Sequence, residues 1–331
     1  MDFLRADSLP WLRGAQHRLR SAFAAQRFPH SLLVLSNPGL GASDLANWIT
    51  ALALCDSQAK RPCGVCASCQ LLRADSHPDF HVVRIEEDAQ QIKVDQVRGL
   101  IEELSLKSYR GGYKTGVIDG AEALNASGAN AFLKTLEEPT PNTVLIMIAR
   151  PNHRLPATIS SRCLRLTLSP PAAEEAIAWL EAQPGGNAAA APAWAAALAL
   201  SGGAPIEALE MDAAMVAGLD LDMRDALAQL ARGAVDVTLL AERWIKSDPG
   251  LRITWLENWI TQRVHAALGA VTSAQSAEPV RLPAALLKPK IRALFELLDA
   301  ARELRRLAPT GMNHQLALEA LLLGGRAALK N

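Results

Sequence analysis

The sequence predicts an α/β domain built on a parallel five-stranded sheet, followed by an all-helical remainder. Two patterns predict it. Over residues 1–167 short apolar runs alternate with amphipathic stretches, and several runs are apolar without alternation, as in parallel strands covered on both faces. After Ser169-Pro170-Pro171 the strand signals stop, and Ala- and Leu-rich helical patterns follow one another. At 331 residues the chain is too long for a single hydrophobic core, so two or three domains are expected.

The strands are expected at Ser31–Leu35, His81–Ile85, Gly116–Asp119, Thr143–Ala149 and Leu164–Leu168. Between them, helices are expected at Asp44–Leu54, at Val94–Leu106 and from an Asn125 cap to Pro139. The last of these sets Ala129, Phe132, Leu133 and Leu136 on one face. Residues 172–210 read as a small helical unit, with Gly185-Gly186-Asn187 and Gly202-Gly203 as breaks. From about residue 211 helix follows helix, Ile291–Leu307 and Gln315–Leu329 being the clearest. Trp255 and Trp259 are four apart and fall on one helical face.

Composition narrows the function. Lys+Arg and Asp+Glu stand at 34 each, so the overall charge provides no field for wrapping nucleic acid unaided. Met1–Arg20 contains no signal-peptide apolar region. The longest apolar stretch, around Ala188–Leu200, is broken by Pro192 and too short to span a bilayer. A cytoplasmic location is the expectation.

Directly after the first expected strand comes Ser36-Asn37-Pro38-Gly39-Leu40-Gly41-Ala42-Ser43, then a helix. Strand, glycine-rich loop and helix N-terminus in that order are the setting of a phosphate-binding loop of the form G-x-x-x-x-G-K-[ST]. On that pattern Ser36 replaces the first Gly, Gly41 keeps the second, Ala42 replaces the Lys and Ser43 keeps the hydroxyl. A methyl group cannot neutralise the β- and γ-phosphates as the missing Lys does. The third strand carries a second defect. Asp119 is able to hold a metal, but Gly120 stands where a second carboxylate polarises the attacking water. The loop is either a degenerate nucleotide site or an ordinary β–α turn, and on either reading this chain is expected to hydrolyse no ATP.

Four of the five cysteines, Cys55, Cys63, Cys66 and Cys69, fall within fifteen residues. The x-x spacing lets neighbouring thiolates turn toward one ion, and four soft ligands suit tetrahedral zinc. Gly64 eases the tight backbone between ligands. An iron–sulfur cluster is the rival metal, but such runs usually continue into a Cys-Pro that is absent here. Unmetallated thiols are the third reading. With four sulfurs and no open position, the expected zinc is structural.

Three features now coincide: the defective loop, the four-Cys insert after its helix, and Ala131-Phe132-Leu133-Lys134-Thr135-Leu136-Glu137-Glu138-Pro139 followed by Ser161-Arg162-Cys163. Together they resemble the bacterial DNA polymerase III clamp-loader family of AAA+ proteins, over essentially the whole first domain. More loosely, Ser201–Leu209 is similar to the helix start where an active member carries its sensor-2 Arg, and that position here holds Ile206. Ala149-Arg150 stands where an active subunit typically has a polar sensor.

The resemblance implies an AAA+ (P-loop NTPase-like) domain over 1–167 with a zinc-binding insert at 55–69, a helical lid over 168–210 and a helical collar, or oligomerisation, domain over 211–331. It implies a subunit that binds no ATP itself and belongs to a DNA-directed DNA polymerase holoenzyme. The partners implied are gamma/tau ATPase subunits, a delta subunit, the sliding clamp and primer–template DNA. It also implies that Arg162 is an arginine finger given in trans to a neighbour's ATP; on its own, Arg162 reads as a surface or salt-bridge Arg. Glu137 and Glu138, adjacent at a helix end, do not share a face as an acid–base pair would and are read as lying at or near a subunit contact. Two rivals make different demands. An active ATPase of the same family requires ATP binding by the isolated chain, against which Ala42 and Gly120 speak. A zinc-knuckle DNA-binding protein requires salt-dependent DNA binding by the monomer, against which the neutral charge speaks.

Overall fold

Five strands pair in parallel in the computed structural model, which describes residues 1–86, 89, 91–151, 155–184, 191–272, 289–307 and 314–329. They are β1 (Ser31–Leu35), β2 (Phe80–Arg84), β3 (Lys114–Asp119), β4 (Thr143–Ala149) and β5 (Leu164–Thr167), in the spatial order β2-β3-β4-β1-β5. All the expected strands are present. Because β1 lies between β4 and β5, the loop leaving its carboxyl end opens at a reversal of strand order, where parallel sheets form their ligand crevices.

The first helices are α1 (Arg13–Ala24), α2 (Ala42–Leu54), α3 (Ala67–Arg73), α4 (Val94–Ser105), α5 (Ala126–Glu137), α6 (Ala157–Ser160) and α7 (Ala173–Glu181). They are followed by α8 (Ala191–Leu200), α9 (Pro205–Leu209), α10 (Ala213–Arg232), α11 (Val237–Lys246), α12 (Pro249–Thr272), α13 (Pro289–Leu307) and α14 (His314–Leu329).

One face of the sheet buries Leu33, Ile118, Leu145 and Met147 against Leu100 and Leu104 of α4 and Ala129, Phe132 and Leu136 of α5. The helical residues recur at three- and four-residue intervals, so they form one stripe, and each large side chain fully buried contributes roughly 1.5–3 kcal/mol. Leu32, Val34, Val117 and Ile146 are also buried, and α2 packs on β1, β3 and β4. Both faces are covered, which is why the central strands β1 and β4 are nearly continuous apolar runs. The Asn125 side chain accepts from the Gly128 N–H at 2.7 Å, so α5 starts where its cap residue sits.

β3 begins at Lys114, two residues earlier than expected. The Lys114 ammonium is buried and donates to the Leu104 carbonyl at 2.5 Å, to the Leu106 carbonyl and to Thr140 Oγ1, closing the C-terminal end of α4.

The chain divides into two compact units. One comprises Met1–Trp179 with Ala204–Glu207 and contains the sheet; the other comprises Leu180–Gly203 and the chain from Ala208 onward, helical among its described residues. Within the second, α12 packs on α8 and α13, and α14 on α11 and α13, around buried Leu230, Trp244, Ile260 and Ala301. Trp255 and Trp259 stack, their ring centroids 6.1 Å apart. Gly185-Gly186-Asn187, expected as a break, and residues 188–190 of the long apolar stretch lie outside the described residues. No helix among the described residues is long and apolar enough to cross a membrane.

Candidate functional site

The loop after β1 and the end of β3 meet at the carboxyl edge of the sheet around a cavity of about 480 Å³. Ser36, Gly39, Gly41, Ala42, Ser43, Asp119 and Gly120, all singled out from the sequence, line it together with Arg84, Arg150 and Ile206. Gly41, at φ +83°, turns the chain into α2, and its missing Cβ makes room for Leu9 Cδ1, which a Cβ would approach to 2.7 Å. Ser36 is buried, its N–H on the Ala149 carbonyl at 3.0 Å and its hydroxyl on the Asn37 carbonyl at 2.8 Å.

The charged groups lining the cavity are largely paired with one another. Ala42 provides no cation. Asp119 is engaged by the protein itself, with Arg84 Nε at 3.7 Å and Ser43 Oγ at 3.4 Å on the same carboxylate oxygen. Arg150 lies 3.6 Å from Glu122. In the first turn of α2 Asp44 presents a carboxylate to the helix N-terminus, with Arg5 at 3.8 Å. Burial pushes the Asp44 carboxyl up, and Arg5 opposes that shift. An anion entering here would meet that carboxylate.

Arg162 is elsewhere. It precedes β5, whose Leu164 pairs with Leu32 at the start of β1, and its backbone carbonyl accepts from Ser31 Oγ at 2.7 Å. Ser31 and Ser36 are five residues apart along β1, about 16 Å at 3.3 Å per residue. Arg162 therefore stands at the amino edge of the sheet, the opposite end from this chain's own loop. Its Nη2 lies 2.5 Å from Glu137 Oε1, at the end of α5, and its Nη1 donates to the Thr158 carbonyl at 2.9 Å. Sequence reasoning missed the partner of Arg162. Glu137 and Arg162 are both legible as charges, but no local spacing links residues separated by a strand. Beside it, Cys163 is half-buried, and burial pushes its thiol up to about 11.

The four cysteines converge. All four sulfurs lie within 4.8 Å of one another, with Cys55–Cys66 at 3.8 Å and Cys63–Cys69 at 3.9 Å. Those distances are far too long for disulfides. They match the sulfur–sulfur edge of about 3.8 Å expected of a tetrahedron with 2.3 Å metal–sulfur bonds. Backbone amides turn toward the sulfurs: Cys66 N–H to Cys63 at 3.3 Å, Cys69 N–H to Cys66 at 3.5 Å and Asp56 N–H to Cys66 at 3.5 Å. Cys66 also caps α3, a helix too short to show periodicity in the sequence. The Val65 amide does most to hold the Cys63 thiol down, at about 6, while burial pushes the Cys55 and Cys69 thiols up. Four sulfurs, two of them buried, all within 4.8 Å of one another can hold a metal cation.

Two family models match in chain order: "DNA polymerase III, delta subunit" over residues 12–172 and "DNA polymerase III, delta subunit, C terminal" over residues 221–326. The chain is 32% identical over 322 residues to DNA polymerase III subunit delta′ of Escherichia coli K12, covering 95% of this chain and 94% of the relative. The chain belongs to the DNA polymerase III subunit delta′ family. The delta′ subunit of Pseudomonas aeruginosa is 35% identical, covering 77% of this chain and 76% of that one. For the Haemophilus influenzae delta′ subunit the identity is 38%, over 61% of this chain and 60% of the relative. The delta′ match thus takes in both the sheet-bearing unit and the helical one.

Proposed function

We propose that this chain is a non-catalytic ring subunit of the DNA polymerase III clamp loader, one that completes a neighbouring subunit's ATP site with Arg162. Membership of the delta′ family supports the complex. The observation that carries the division of labour is the position of Arg162: it lies at the amino edge of the sheet, where it cannot serve the loop at the carboxyl edge, yet stays accessible to a second chain. The loop in turn lacks its Lys, and its Asp119 is engaged by Arg84.

The partners on this reading are the gamma/tau ATPase subunits and a delta subunit, with the sliding clamp and primer–template DNA reached through the assembled ring. The lid is assigned to 168–210 and the collar to 211–331. A guanidinium placed against a partner's γ-phosphate offsets charge developing in the transition state, an effect worth about 10³–10⁵ in rate at that site. The four cysteines hold zinc; the ion supplies a structural cross-link, with no open position for chemistry.

Mixing the chain with its ATPase partner and clamp, and comparing wild type with Arg162→Ala, tests the proposal. ATP turnover and clamp loading are expected to fall while the complex still assembles. Undiminished turnover in the variant sinks the finger assignment.

A further inference from the structure

Arg162 does not wait unengaged. Its Nη2 lies 2.5 Å from Glu137 Oε1, while Nη1 donates to the Thr158 carbonyl at 2.9 Å and reaches Ser161 Oγ at 3.4 Å. Nε makes no hydrogen bond among the described residues. The main chain at Arg162 is fixed separately, through Ser31 Oγ on its carbonyl. Backbone and side chain are thus held by different groups, and the guanidinium can leave Glu137 without the strand shifting.

We propose that Glu137 is a positioning residue for Arg162: its carboxylate holds the guanidinium in the free subunit and gives it up to the partner's phosphate. This rests on the reading of Arg162 as a finger supplied in trans. Three physical points carry it. Glu137 is the last residue of α5, at the negative end of the helix dipole, where a carboxylate is disfavoured unless a cation stands beside it. Arg162 is the cation that does so. Second, both side chains remain partly open, 51% for Glu137 and 36% for Arg162, so the pair is solvent-screened and opens at little cost. Third, Nη2 is an N–H group that a phosphate oxygen needs. A carboxylate 2.5 Å from Nη2 repels an approaching phosphate, so docking of the finger is favoured when Glu137 releases it.

The pairing therefore competes with the finger's work. Exposed pairs of this kind shift an equilibrium by about 1.4- to 5-fold. That is enough to restrain a finger presented without a properly seated neighbour, and too little to block one that is seated.

The test uses the assembled complex, with steady-state ATP turnover measured for wild type, Glu137→Gln, Arg162→Ala and the double variant. Glu137→Gln keeps the side chain's size and removes its charge. It is expected to raise turnover by about 1.4- to 5-fold, and the double variant is expected to match Arg162→Ala. Unchanged or lowered turnover in Glu137→Gln overturns the proposal, as does a rise that persists without Arg162. Wild-type turnover in Arg162→Ala defeats the underlying finger reading instead, so the two failures are distinct. An activity-free arm uses the isolated chain. The guanidinium N–H signals of Arg162 in nitrogen-15 NMR are expected to show faster rotation of the Nη2 group in Glu137→Gln than in wild type, with Nη1 still held by Thr158; identical spectra overturn the latch.

Discussion

Ile206 donates its backbone N–H to the carbonyl of Gly39 at 3.1 Å, joining the start of α9 to the loop after β1. The approach is close enough that a Cβ on Gly39 would stand 2.6 Å from Glu207 Cβ and 2.9 Å from the Glu207 amide nitrogen. Gly39 also sits at φ +74°, where a side chain is strained. Gly39→Ala is therefore expected to cost about 1–3 kcal/mol from backbone strain alone, with the clash in addition. Urea unfolding of the isolated variant measures this, and an unchanged midpoint would contradict the packing described.

The proposed reading of the loop as a degenerate nucleotide site can be tested at Ala42. Ala42→Lys places a cation there, but Gly120 offers no carboxylate to water, and Ile206 offers no charge to a γ-phosphate. Asp119 remains paired with Arg84 at 3.7 Å. No ATP turnover is expected from isolated Ala42→Lys protein. Hydrolysis appearing with that single change would mean that the Lys was the only lesion.

Much of this was legible in the sequence, for reasons that differ by element. β1 and β4 were readable because both faces of the sheet are covered, leaving continuous apolar runs such as Thr143–Ala149. α5 was readable from Asn125 and its apolar stripe. The cavity residues were readable because loop, helix start and strand end obey fixed local spacing. α1 and α3 were not: α1 is crowded with Arg, and α3 is organised by Cys66 and the sulfur cluster rather than by periodicity. Least legible were the long-range contacts, Glu137 with Arg162 and Ile206 with Gly39, since side-chain and amide partners brought together by the fold leave no local pattern.

The sulfur cluster makes a demand of its own. Purified, reduced protein is expected to retain one zinc ion per chain, lost on Cys69→Ser together with several degrees of thermal stability. Because burial pushes the Cys55 and Cys69 thiols up, while the Val65 amide holds Cys63 down, proton release on metal binding comes chiefly from Cys55 and Cys69. Affinity should accordingly fall as pH falls, and calorimetric titration in buffers of different ionisation enthalpy should register proton release. Iron in the protein, or binding without proton release, would refute this account of the site.

His77 adds a second pH dependence. Its Nδ1 accepts from the Asp79 N–H at 3.1 Å, so the neutral ring carries its proton on Nε2, facing Ser68 Oγ at 3.3 Å. Burial holds its pKa below the ordinary 6.5, with Arg110 and His81 acting in the same direction and Asp79 and Asp56 against it. Below about pH 6.5 the unfolded chain binds this proton while the folded chain still refuses it. The unfolded state then binds more protons, so stability falls as pH falls through that window. His77→Asn offers an amide oxygen to the Asp79 N–H and does not titrate. Its unfolding midpoint should start lower at pH 8, having lost the Ser68 contact, yet decline less than wild type between pH 7 and pH 5. Parallel declines in the two proteins would show that His77 is not the group responsible.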